Sequence, residues 1–380
     1  MKKKILFVFG TRPEAIKMAP LVKEFLSKGK DVFETAICVT SQHREMLDQV
    51  LEVFDIIPDY DLDVMRENQD LFSLTSGLLE KMRSVLEKTT PELVFVHGDT
   101  TTTMVTSMSC FYLRIRVAHI EAGLRSGNMF SPWPEEMNRR VTTLASCLHF
   151  APTESAARNL AREGVDMAKV HVTGNTVIDA LLSVKKRIEM DDSLKDSIVK
   201  NIGIDSLQDK KRFILITGHR RENFGEGFLE ICEAIRVLAR DNPNIDLVYP
   251  VHLNPNVRKP VHEILEGLDN VYLIPPLDYI SFVFLLMECY FVLTDSGGIQ
   301  EEAPTLGKPV LVMRDTTERP EAVEAGVVKM VGANRELIVE NAQSLIDDHA
   351  IYSAMSLPGS PYGCGNASSI ILKLTREALN

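Results

Sequence analysis

The sequence predicts an α/β fold in which parallel sheets are divided between two domains. Short apolar runs alternate with helix-length amphipathic segments over the whole chain, and this alternation is typical of βαβ units. Most of the runs are continuous and often β-branched, as expected for strands that are buried on both faces of a sheet. The chain has 380 residues, and since a domain usually takes about 100–200 residues, two domains are expected.

The strands are predicted at the apolar runs, in which Val, Ile, Leu and Phe predominate. In the first half of the chain these runs are residues 5–9, 36–39, 93–97, 116–120 and 148–150. In the second half they are residues 213–217, 247–249, 271–274, 291–294 and 310–313. Helices are predicted in the amphipathic segments between them, for example at residues 15–27, 71–88 and 227–241.

A polar stretch marks the connection between the two domains. We predict a helix over residues 176–190 that leads out of the first domain. Residues 191–211 are charged and weakly periodic, which indicates a surface excursion before the next strand. The first domain is therefore predicted to cover residues 1–172 and the second residues 173–367. The last segment, residues 368–380, has a helical pattern and is expected to pack back on the first domain.

The composition argues against several classes of protein. Acidic residues outnumber basic residues by 53 to 42, for a net charge of −11, which disfavours a nucleic-acid binder because affinity for phosphate chains needs clustered Lys and Arg. No apolar run approaches the ~20 residues that span a bilayer, so a membrane protein is not expected. The 6 cysteines form no C-x-x-C pair, which favours buried free thiols in a reducing cytoplasm over disulfides or a zinc site.

Polar residues follow the strands at the edge where parallel sheets bind their ligands. Turns of this kind occur in both halves of the chain, at residues 10–14, 97–100, 121–125, 217–222, 250–255, 294–298 and 314–320. One such turn is ordinary, whereas a series of them in register predicts a ligand cleft between the two domains.

The tripeptide Ser296-Gly297-Gly298 is a candidate phosphate site, because small residues let main-chain N–H groups approach an anion. An ordinary glycine-rich turn with a serine cap is the alternative. Arg319 and His219 on neighbouring loops would add positive charge. The chain has no G-x-x-x-x-G-K-[ST] motif and no G-x-G-x-x-G motif after a strand, which argues against a P-loop ATPase and leaves an NAD site of the Rossmann type without support.

Several carboxylates are candidates for proton transfer. Asp99 and Glu121 follow strands that are predicted to be neighbours, and Glu135 and Glu136 lie in a proline-rich loop. Carboxylates that lie near one another and near a phosphate cannot all ionise freely, and a raised pKa is what proton transfer at neutral pH needs. The alternative is ion pairing with Arg125, Arg139 and Arg140, together with helix capping. No spacing of His, Asp and Glu indicates a metal site.

Long motifs follow one another from about residue 4 to the end of the chain. They are Gly-Thr-Arg-Pro-Glu-Ala-Ile-Lys (10–17), Thr-Ser-Gln-His-Arg-Glu-Met-Leu (40–47), His-Gly-Asp-Thr-Thr-Thr (97–102), Glu-Ala-Gly-Leu-Arg (121–125), Ser-Pro-Trp-Pro-Glu-Glu (131–136), Thr-Gly-Asn-Thr-Val-Ile-Asp-Ala (173–180), Thr-Gly-His-Arg-Arg-Glu (217–222), Asp-Ser-Gly-Gly-Ile-Gln-Glu-Glu-Ala-Pro (295–304), Arg-Asp-Thr-Thr-Glu-Arg-Pro-Glu (314–321) and Ser-Pro-Tyr-Gly (360–363). Together they resemble the motifs of the non-hydrolysing UDP-N-acetylglucosamine 2-epimerases, with Ser360 in place of the Asn of that pattern.

The resemblance implies a glycosyltransferase-B-like fold, in which two Rossmann-like, doubly wound domains face a cleft, and a cytoplasmic homodimer. It implies reversible conversion of UDP-GlcNAc into UDP-ManNAc, which supplies precursors for surface polysaccharide. The reaction would proceed by anti elimination of UDP to 2-acetamidoglucal and re-addition of UDP. The family needs no NAD, no other cofactor and no metal.

The resemblance also implies roles for individual residues. The implied catalytic residues are Asp99, Glu121, Glu135 and His219. The implied substrate-binding residues are Arg12, Lys17, Asp99, Glu121 and Arg139 in the first domain and His219, Leu277, Phe282, Ser296, Gly297, Gly298, Glu302 and Arg319 in the second. Gln42 and His252 match an allosteric site at which some members bind a second UDP-GlcNAc, whereas Glu45 and Asn68 depart from that pattern.

Four other functions would make different demands on the sequence. A UDP-sugar glycosyltransferase of the same fold would need an acceptor site, for which no insertion is evident. A hydrolysing epimerase would release free N-acetylmannosamine. A non-catalytic UDP-sugar sensor would keep the phosphate site without the acids, and a glycoside hydrolase would use paired carboxylates without a diphosphate site.

Overall fold

The computed structural model describes residues 2–41, 44–65, 69–204, 207, 211–356 and 361–379. The chain forms two compact units, of which the first contains Met1–Ala180 and Tyr362–Asn380 and the second contains Leu181–Pro361. The sequence predicted the first boundary after residue 172, whereas the division lies within the helix Thr176–Met190. The start of this helix stays with the first unit because the Asp179 carboxylate accepts a hydrogen bond from the main-chain N–H of Ser368 at 2.8 Å.

A seven-stranded parallel sheet forms the centre of the first unit, in the part of the chain that the structure describes. Its strands are β1 (Lys3–Phe9), β2 (Phe33–Val39), β3 (Tyr60–Asp61), β4 (Leu93–His97), β5 (Arg116–Ile120), β6 (Leu148–Ala151) and β7 (Val170–Val172). They lie in the order β3-β2-β1-β4-β5-β6-β7 with parallel pairing throughout. The order reverses between β1 and β4, so the carboxyl ends of these two strands form the topological switch point.

Helices connect these strands. They are α1 (Arg12–Lys28), α2 (Arg44–Val53), α3 (Leu71–Thr89), α4 (Thr101–Tyr112), α5 (Glu135–Ala145), α6 (Glu154–Arg162) and α7 (Thr176–Met190). The C-terminal helix, α16 (Ala367–Leu379), belongs to the same unit and packs against α1.

The second unit repeats this architecture with a six-stranded parallel sheet, counted over the residues described. Its strands are β8 (Phe213–Thr217), β9 (Asp246–Pro250), β10 (Val271–Ile274), β11 (Val292–Thr294), β12 (Val310–Val312) and β13 (Val328–Met330). Their order is β10-β9-β8-β11-β12-β13. The switch point lies between β8 and β11, and the turns that follow these strands meet there.

The helices of the second unit surround this sheet. They are α8 (Asp192–Ile202), α9 (Glu226–Asp241), α10 (Pro255–Leu265), α11 (Tyr279–Glu288), α12 (Ile299–Thr305), α13 (Pro320–Glu324), α14 (Arg335–Asp347) and α15 (His349–Met355). In the described ranges of both units, we find no helix with the length and apolarity needed to cross a bilayer.

The start of the chain shows why these residues form a strand and then a helix. Phe7 of β1 is fully buried, with its ring centroid 4.7 Å from that of Phe95 and 5.2 Å from that of Phe25. Helix α1 begins after Thr11, whose hydroxyl accepts the main-chain N–H of Glu14 while the Glu14 side chain accepts the main-chain N–H of Thr11. This capping box satisfies two N–H groups that a helix start would otherwise leave unpaired.

An apolar core lies between the second sheet and helices α9, α10 and α14. It includes the fully buried Ile214, Leu247, Leu293 and Leu311 of four neighbouring strands, with Ile235 of α9 against them. Complete burial of a side chain of this size stabilises the fold by about 1.5–3 kcal/mol. The core therefore fixes the strands whose carboxyl ends carry the polar turns.

The predicted α/β fold with two parallel sheets is confirmed, and every predicted strand is present with small differences at its ends. The apolar runs of the sequence do not predict β3, β7 and β13. These strands have only two or three residues and lie at sheet edges, where partly exposed residues give no continuous apolar run.

The first part of the predicted surface excursion over residues 191–211 forms the helix α8. The Asp191 carboxylate caps this helix by accepting the main-chain N–H of Leu194 at 3.0 Å. Gly203 ends it in the left-handed conformation, with φ at 71°. Only Ile198 and Ile202 are buried in this helix, which explains why the helical period was weak in the sequence.

Candidate active site

The switch point of the first unit is organised by the buried side chain of Glu14. Its carboxylate accepts hydrogen bonds from the main-chain N–H groups of Gly10 (3.0 Å) and Thr11 (2.8 Å), in the turn after β1. It also accepts hydrogen bonds from the hydroxyls of Thr100 (2.7 Å) and Thr103 (3.2 Å), at the start of α4. Burial raises the pKa of Glu14, and the hydrogen bonds from Thr100, Gly10 and Thr11 oppose the rise. One carboxylate thus ties together the two turns at the switch point.

Gly10 is required at this place for steric reasons. A Cβ on Gly10 would lie 1.9 Å from the Thr40 hydroxyl and 2.8 Å from the Thr102 hydroxyl. These two hydroxyls are themselves hydrogen-bonded at 2.8 Å. The turn that carries the predicted residue Arg12, half-buried at the start of α1, is therefore closely packed against the neighbouring segments.

Asp99 lies in the turn after β4 and pairs with Arg139 of α5. Arg139 Nη2 donates to Asp99 Oδ2 at 2.5 Å, and Arg139 Nη1 donates to Glu136 Oε2 at 3.2 Å. Glu136 is fully buried, and the Asn138 amide donates to the main-chain carbonyl of Asp99 at 2.9 Å. The ion pairing considered as the alternative for these acids is thus present at Asp99 and Glu136, and Asp99 keeps 27% of its side chain exposed.

Glu121 follows β5, and its side chain lies almost buried beside Lys17 of α1. Lys17 Nζ donates to Glu121 Oε2, and the Asn175 amide donates to the same oxygen at 2.7 Å. The strands that precede Asp99 and Glu121 are paired, as predicted. His97 Nε2 lies 4.0 Å from Glu121 Oε2, and burial lowers the pKa of His97 to about 4. This imidazole is therefore neutral near pH 7, whereas Lys17 brings a cationic group into contact with Glu121.

Glu135 is the first residue of α5, the helix that also carries Arg139. Its Oε2 atom is buried and has no hydrogen-bond partner among the described residues. The structure thus joins Lys17 to Glu121 and Asp99 to Arg139, whereas this oxygen of Glu135 makes no hydrogen bond to either pair. Gln42 and Asn68 lie outside the described residues, as does the side chain of Glu45.

In the second unit, the buried Asp295 organises the switch point. Its Oδ2 atom accepts the main-chain N–H groups of His219 and Arg220, both at 2.8 Å. Its Oδ1 atom lies 3.7 Å from His219 Nδ1. Burial lowers the pKa of His219, and the charge of Asp295 opposes this. The imidazole rings of His219 and His252 are stacked with their centroids 5.2 Å apart, so the predicted catalytic and allosteric histidines are neighbours.

The predicted phosphate tripeptide, Ser296 to Gly298, lies directly before α12 and against Arg319. A Cβ on Gly297 would lie 2.5 Å from Arg319 Nη1 and 2.9 Å from its Cζ atom. Arg319 is buried, and its Nε atom donates to Glu301 at 2.5 Å. The absence of a side chain at Gly297 therefore lets the guanidinium lie directly on the glycine main chain.

An ion-pair network holds the loop of Arg319 in place. Arg314 donates to Glu222 at 2.5 Å and to Glu318 at 3.0 Å, and Arg319 Nη1 donates to Glu318 at 2.7 Å. Burial acts to raise the pKa of Glu318, but Arg319 and Arg314 hold it well below its ordinary value. Two arginines and two carboxylates thus connect the turn after β8 with the turn after β12.

The remaining predicted residues cluster around α11. Glu302 of α12 is buried and accepts a hydrogen bond from the Tyr279 hydroxyl at 2.8 Å. Leu277 lies two residues before α11 and Phe282 lies within α11, and both are partly buried. The sequence does not indicate a role for Tyr279, because a tyrosine in an apolar helix is not distinguishable from a core residue. In the ranges that can be described, no cluster of His, Cys, Asp and Glu has metal-binding geometry.

Known proteins match the chain over its whole length. A family model described as UDP-N-acetylglucosamine 2-epimerase matches residues 27–376. The UDP-N-acetylglucosamine 2-epimerase of Campylobacter jejuni is 54% identical over 381 residues, which cover 100% of this chain and 99% of that relative. The enzyme of the same name from Escherichia coli is 54% identical over 375 residues, 98% of each chain.

A solved structure gives the same result. The crystal structure of UDP-GlcNAc 2-epimerase from Neisseria meningitidis bound to UDP-GlcNAc has a TM-score of 0.94 and 50% identity, and the match covers 98% of this chain and 100% of that one. Since sequence and fold agree over the full length, this chain, with its glycosyltransferase-B-like fold, belongs to the UDP-N-acetylglucosamine 2-epimerase family of isomerases.

Proposed function

We propose that this chain converts UDP-N-acetylglucosamine reversibly into UDP-N-acetylmannosamine without hydrolysing it. Full-length similarity to enzymes named for this epimerisation supports the proposal. The observation that carries it is that one unit holds a carboxylate against a lysine, Glu121 and Lys17, while the other holds a buried arginine, Arg319, on a glycine turn. The first arrangement suits proton transfer beside a cation, and the second suits a diphosphate.

We assign the nucleotide to the second unit. The main-chain N–H groups of the glycine turn and the guanidinium of Arg319 would bind the diphosphate by hydrogen bonds, and the imidazole of His219 would add a further hydrogen bond. Glu302 would accept hydrogen bonds from the ribose hydroxyls. The full set assigned to UDP is His219, Leu277, Phe282, Ser296, Gly297, Gly298, Glu302 and Arg319.

We assign the chemistry at the sugar to the first unit. In the elimination step the C2–H bond breaks and its proton passes to a carboxylate, the electron pair forms the C1–C2 double bond, and UDP leaves with the electrons of the C1–O bond. The product is 2-acetamidoglucal. In the second step a proton is delivered to the opposite face of C2 and UDP adds again at C1. Asp99, Glu121 and Glu135 are the candidate acids and bases, and Arg12, Lys17 and Arg139 the cations that position the substrate.

Incubation with UDP-N-acetylglucosamine in D₂O tests the proposal, with the sugar followed by NMR. We expect UDP-N-acetylmannosamine to form and deuterium to appear at C2 of both nucleotide sugars. Release of UDP together with free N-acetylmannosamine would instead indicate a hydrolysing epimerase. Absence of both epimerisation and exchange would indicate a glycosyltransferase or a UDP-sugar sensor.

The variant Glu121→Gln tests the division of labour between the units. Because loss of a general acid or base costs roughly 10²–10⁴ in rate, turnover should collapse, while the affinity for UDP should change little. Glu34→Gln, at an exposed residue of β2, serves as the control and should keep full activity. An equal loss of turnover and of UDP affinity in Glu121→Gln would show that Glu121 is a structural acid.

We further propose that the protein is a homodimer. Phe111 and Tyr112 at the end of α4 are 66% and 67% exposed, and Leu144 at the end of α5 is 87% exposed. Helices α4 and α5 pack against each other. Large apolar side chains that are exposed in the single chain are candidates for an interface, and we assign these ends of α4 and α5 to the contact with the second subunit.

We also place the reaction in the cytoplasm. All 6 cysteines are free, and 4 of them, Cys38, Cys110, Cys232 and Cys289, are buried, which is typical of proteins in a reducing compartment. Fractionation of cells tests this assignment, which predicts the protein in the cytosolic fraction.

A further inference from the structure

We infer that Asn175 is a positioning residue that holds the carboxylate of Glu121, and that the segment around Tyr362 holds Asn175. This inference rests on the proposed function, in which Glu121 transfers a proton. Asn175 and Tyr362 belong to two of the motifs noted in the sequence, Thr-Gly-Asn (173–175) and Pro-Tyr-Gly (361–363).

The contact between Asn175 and Glu121 is direct and buried. Asn175 Nδ2 donates to Glu121 Oε2 at 2.7 Å. Asn175 is 3% exposed, and the Glu121 side chain is 8% exposed. The same oxygen accepts a hydrogen bond from Lys17 Nζ. A buried ionised carboxylate needs donors of this kind, and here a charged donor and a neutral donor meet at one oxygen.

The main chain at Glu121 explains why its side chain needs to be held. Glu121 has φ at 62°, in the left-handed region, which a residue other than glycine adopts at a cost of about 1–3 kcal/mol. The flanking main chain is fixed by Gly98 N–H, which donates to Ile120 O at 2.9 Å, and by Ala122 N–H, which donates to Phe150 O at 3.0 Å. The main chain thus fixes the direction in which the side chain of Glu121 leaves the backbone. The hydrogen bonds of the side chain then fix the position of the carboxylate.

The orientation of the Asn175 amide is determined by its neighbours. Asn175 Oδ1 accepts the main-chain N–H of Val177 at 3.1 Å. Because the oxygen of the amide is engaged in this way, its NH₂ group must face Glu121. A donor is therefore presented to the carboxylate, and the reverse orientation would bring two acceptors together.

The C-terminal segment fixes the main chain of Asn175. The N–H of Asn175 donates to the carbonyl oxygen of Tyr362 at 2.7 Å. Gly174 has φ at 82°, and a Cβ there would lie 2.9 Å from the same oxygen. Glycine therefore both allows the turn and lets the carbonyl of Tyr362 approach. A segment 187 residues later in the chain, 362 against 175, thereby supports the side chain that holds Glu121.

Asn175 cannot itself act as acid or base, because an amide does not titrate near neutral pH. Its effect on the reaction must pass through Glu121. The titratable groups near the Glu121 carboxylate include Lys17 from α1 and His97 from β4. Loss of the amide donor leaves the carboxylate less well oriented and more easily protonated, since a hydrogen bond to the charged form favours that form.

Kinetics of Asn175→Ala test the inference. We expect kcat to fall about 10- to 100-fold, as for other losses of orientation, and the acidic limb of the pH–rate profile to move to higher pH. The affinity for UDP, measured by titration calorimetry, should stay the same. In the Glu121→Gln background the same substitution should cause little further loss of kcat, since residues that act through one another are not additive.

Two further variants separate positioning from stability. Asn270→Ala removes a buried asparagine of the second unit, whose amide donates to the carbonyls of Ala239, Asn242 and Ile245. It should lower thermal stability without moving the pH profile. Asn175→Asp keeps the shape of the side chain and should move the acidic limb further than Asn175→Ala, because a second negative charge then faces Glu121.

The outcomes distinguish this inference from the proposed function. If Glu121→Gln abolishes turnover while Asn175→Ala and Asn175→Asp keep normal kcat and pH profiles, the inference alone is wrong. An additive loss of kcat in the double variant would also overturn it, since this would indicate a structural role independent of Glu121. If Glu121→Gln itself retains full turnover, the catalytic role of Glu121 is wrong, and the inference fails with it.

Discussion

The carboxylate of Asp295 accepts the main-chain N–H of His219 at 2.8 Å, and its second oxygen lies 3.7 Å from Nδ1 of the same histidine. The backbone of the turn and the charge of the imidazole thus depend on one buried acid. Glu14 performs the equivalent task in the first unit, where it joins the turns after β1 and β4. In both units a buried carboxylate connects the two turns of the switch point.

Asp295→Asn should weaken UDP binding, because the neutral amide no longer favours the charged imidazole. Burial already lowers the pKa of His219, and Asp295 is the group that opposes this, so its loss should lower the pKa further. Since the imidazole is partly exposed, we expect a modest loss of UDP affinity, about 3- to 10-fold. NMR titration of the His219 ring and calorimetry with UDP at pH 6 and pH 8 measure both effects. An unchanged pKa of His219 would contradict this prediction.

Glu14→Gln should lower kcat and destabilise the first unit together. The amide replaces one acceptor oxygen by an NH₂ group, which then faces the donors at Gly10, Thr11 or Thr100. Loss of acceptors for buried donors costs about 1–3 kcal/mol. Chemical denaturation and steady-state kinetics measure the two effects, and Glu34→Gln serves as an exposed control. Normal stability would show that the turns are held by other contacts.

The sequence predicts features that depend on neighbouring residues better than contacts between residues that are far apart in the chain. The long strands were predictable because burial on both faces of a sheet selects continuous apolar runs, as in residues 93–97. Strand ends then placed Asp99 and Glu121 at one edge of a sheet. Their partners were not predictable, because Lys17 and Glu121 are separated by 104 residues, and the contact depends on how α1 packs on the sheet.

The positioning residues were the least predictable part of the site. In the sequence, Asn175 looks like an ordinary turn residue and Tyr279 looks like an ordinary core residue. Only the folded chain brings Asn175 to Glu121 and Tyr279 to Glu302. The family motifs contained Asn175, but they did not indicate its partner. A motif indicates that a residue type is needed at a position. The contact in the folded chain shows which partner requires it.

Gly297→Ala should weaken UDP binding without unfolding the second unit. The added methyl group would lie 2.5 Å from Arg319 Nη1, so the guanidinium must move away from the glycine turn. Since a charged hydrogen bond contributes about 1.5–3 kcal/mol, we expect the UDP affinity to fall about 10- to 100-fold. Calorimetric titration with UDP measures this loss.

Gly77→Ala is the matched control for this glycine. It lies in α3, where a Cβ would meet no atom within 4 Å, and alanine in a helix is favoured over glycine by about 0.5–1 kcal/mol. We expect a small gain in stability and unchanged UDP affinity. If Gly297→Ala also binds UDP normally, the glycine turn and Arg319 do not form the diphosphate site.

Phe111→Glu should convert the proposed dimer into monomers, because a charge in an apolar interface loses its hydration without gaining a partner. Phe111 is 66% exposed in the single chain, so the substitution should leave the fold intact. Sedimentation velocity measures the mass. Ile57→Glu, at an apolar residue outside α4 and α5 that is 86% exposed, should leave the mass of the dimer unchanged. A wild-type protein that sediments as a monomer would refute the proposed homodimer.

His119→Phe should make the stability of the first unit less sensitive to acid. The imidazole is fully buried, its Nε2 atom lies 2.7 Å from Gly98 O, and burial lowers its pKa from 6.5 to about 3. Between these values the unfolded chain binds a proton that the folded chain does not, so stability falls as the pH drops below 6.5. Between pH 7 and pH 5 this loss is about 2 kcal/mol, and urea unfolding at the two pH values should show that His119→Phe removes it. His262→Phe on α10 serves as the control and should leave the difference in unfolding free energy between pH 7 and pH 5 unchanged. If both variants reduce this difference equally, the buried His119 is not the cause of the pH dependence.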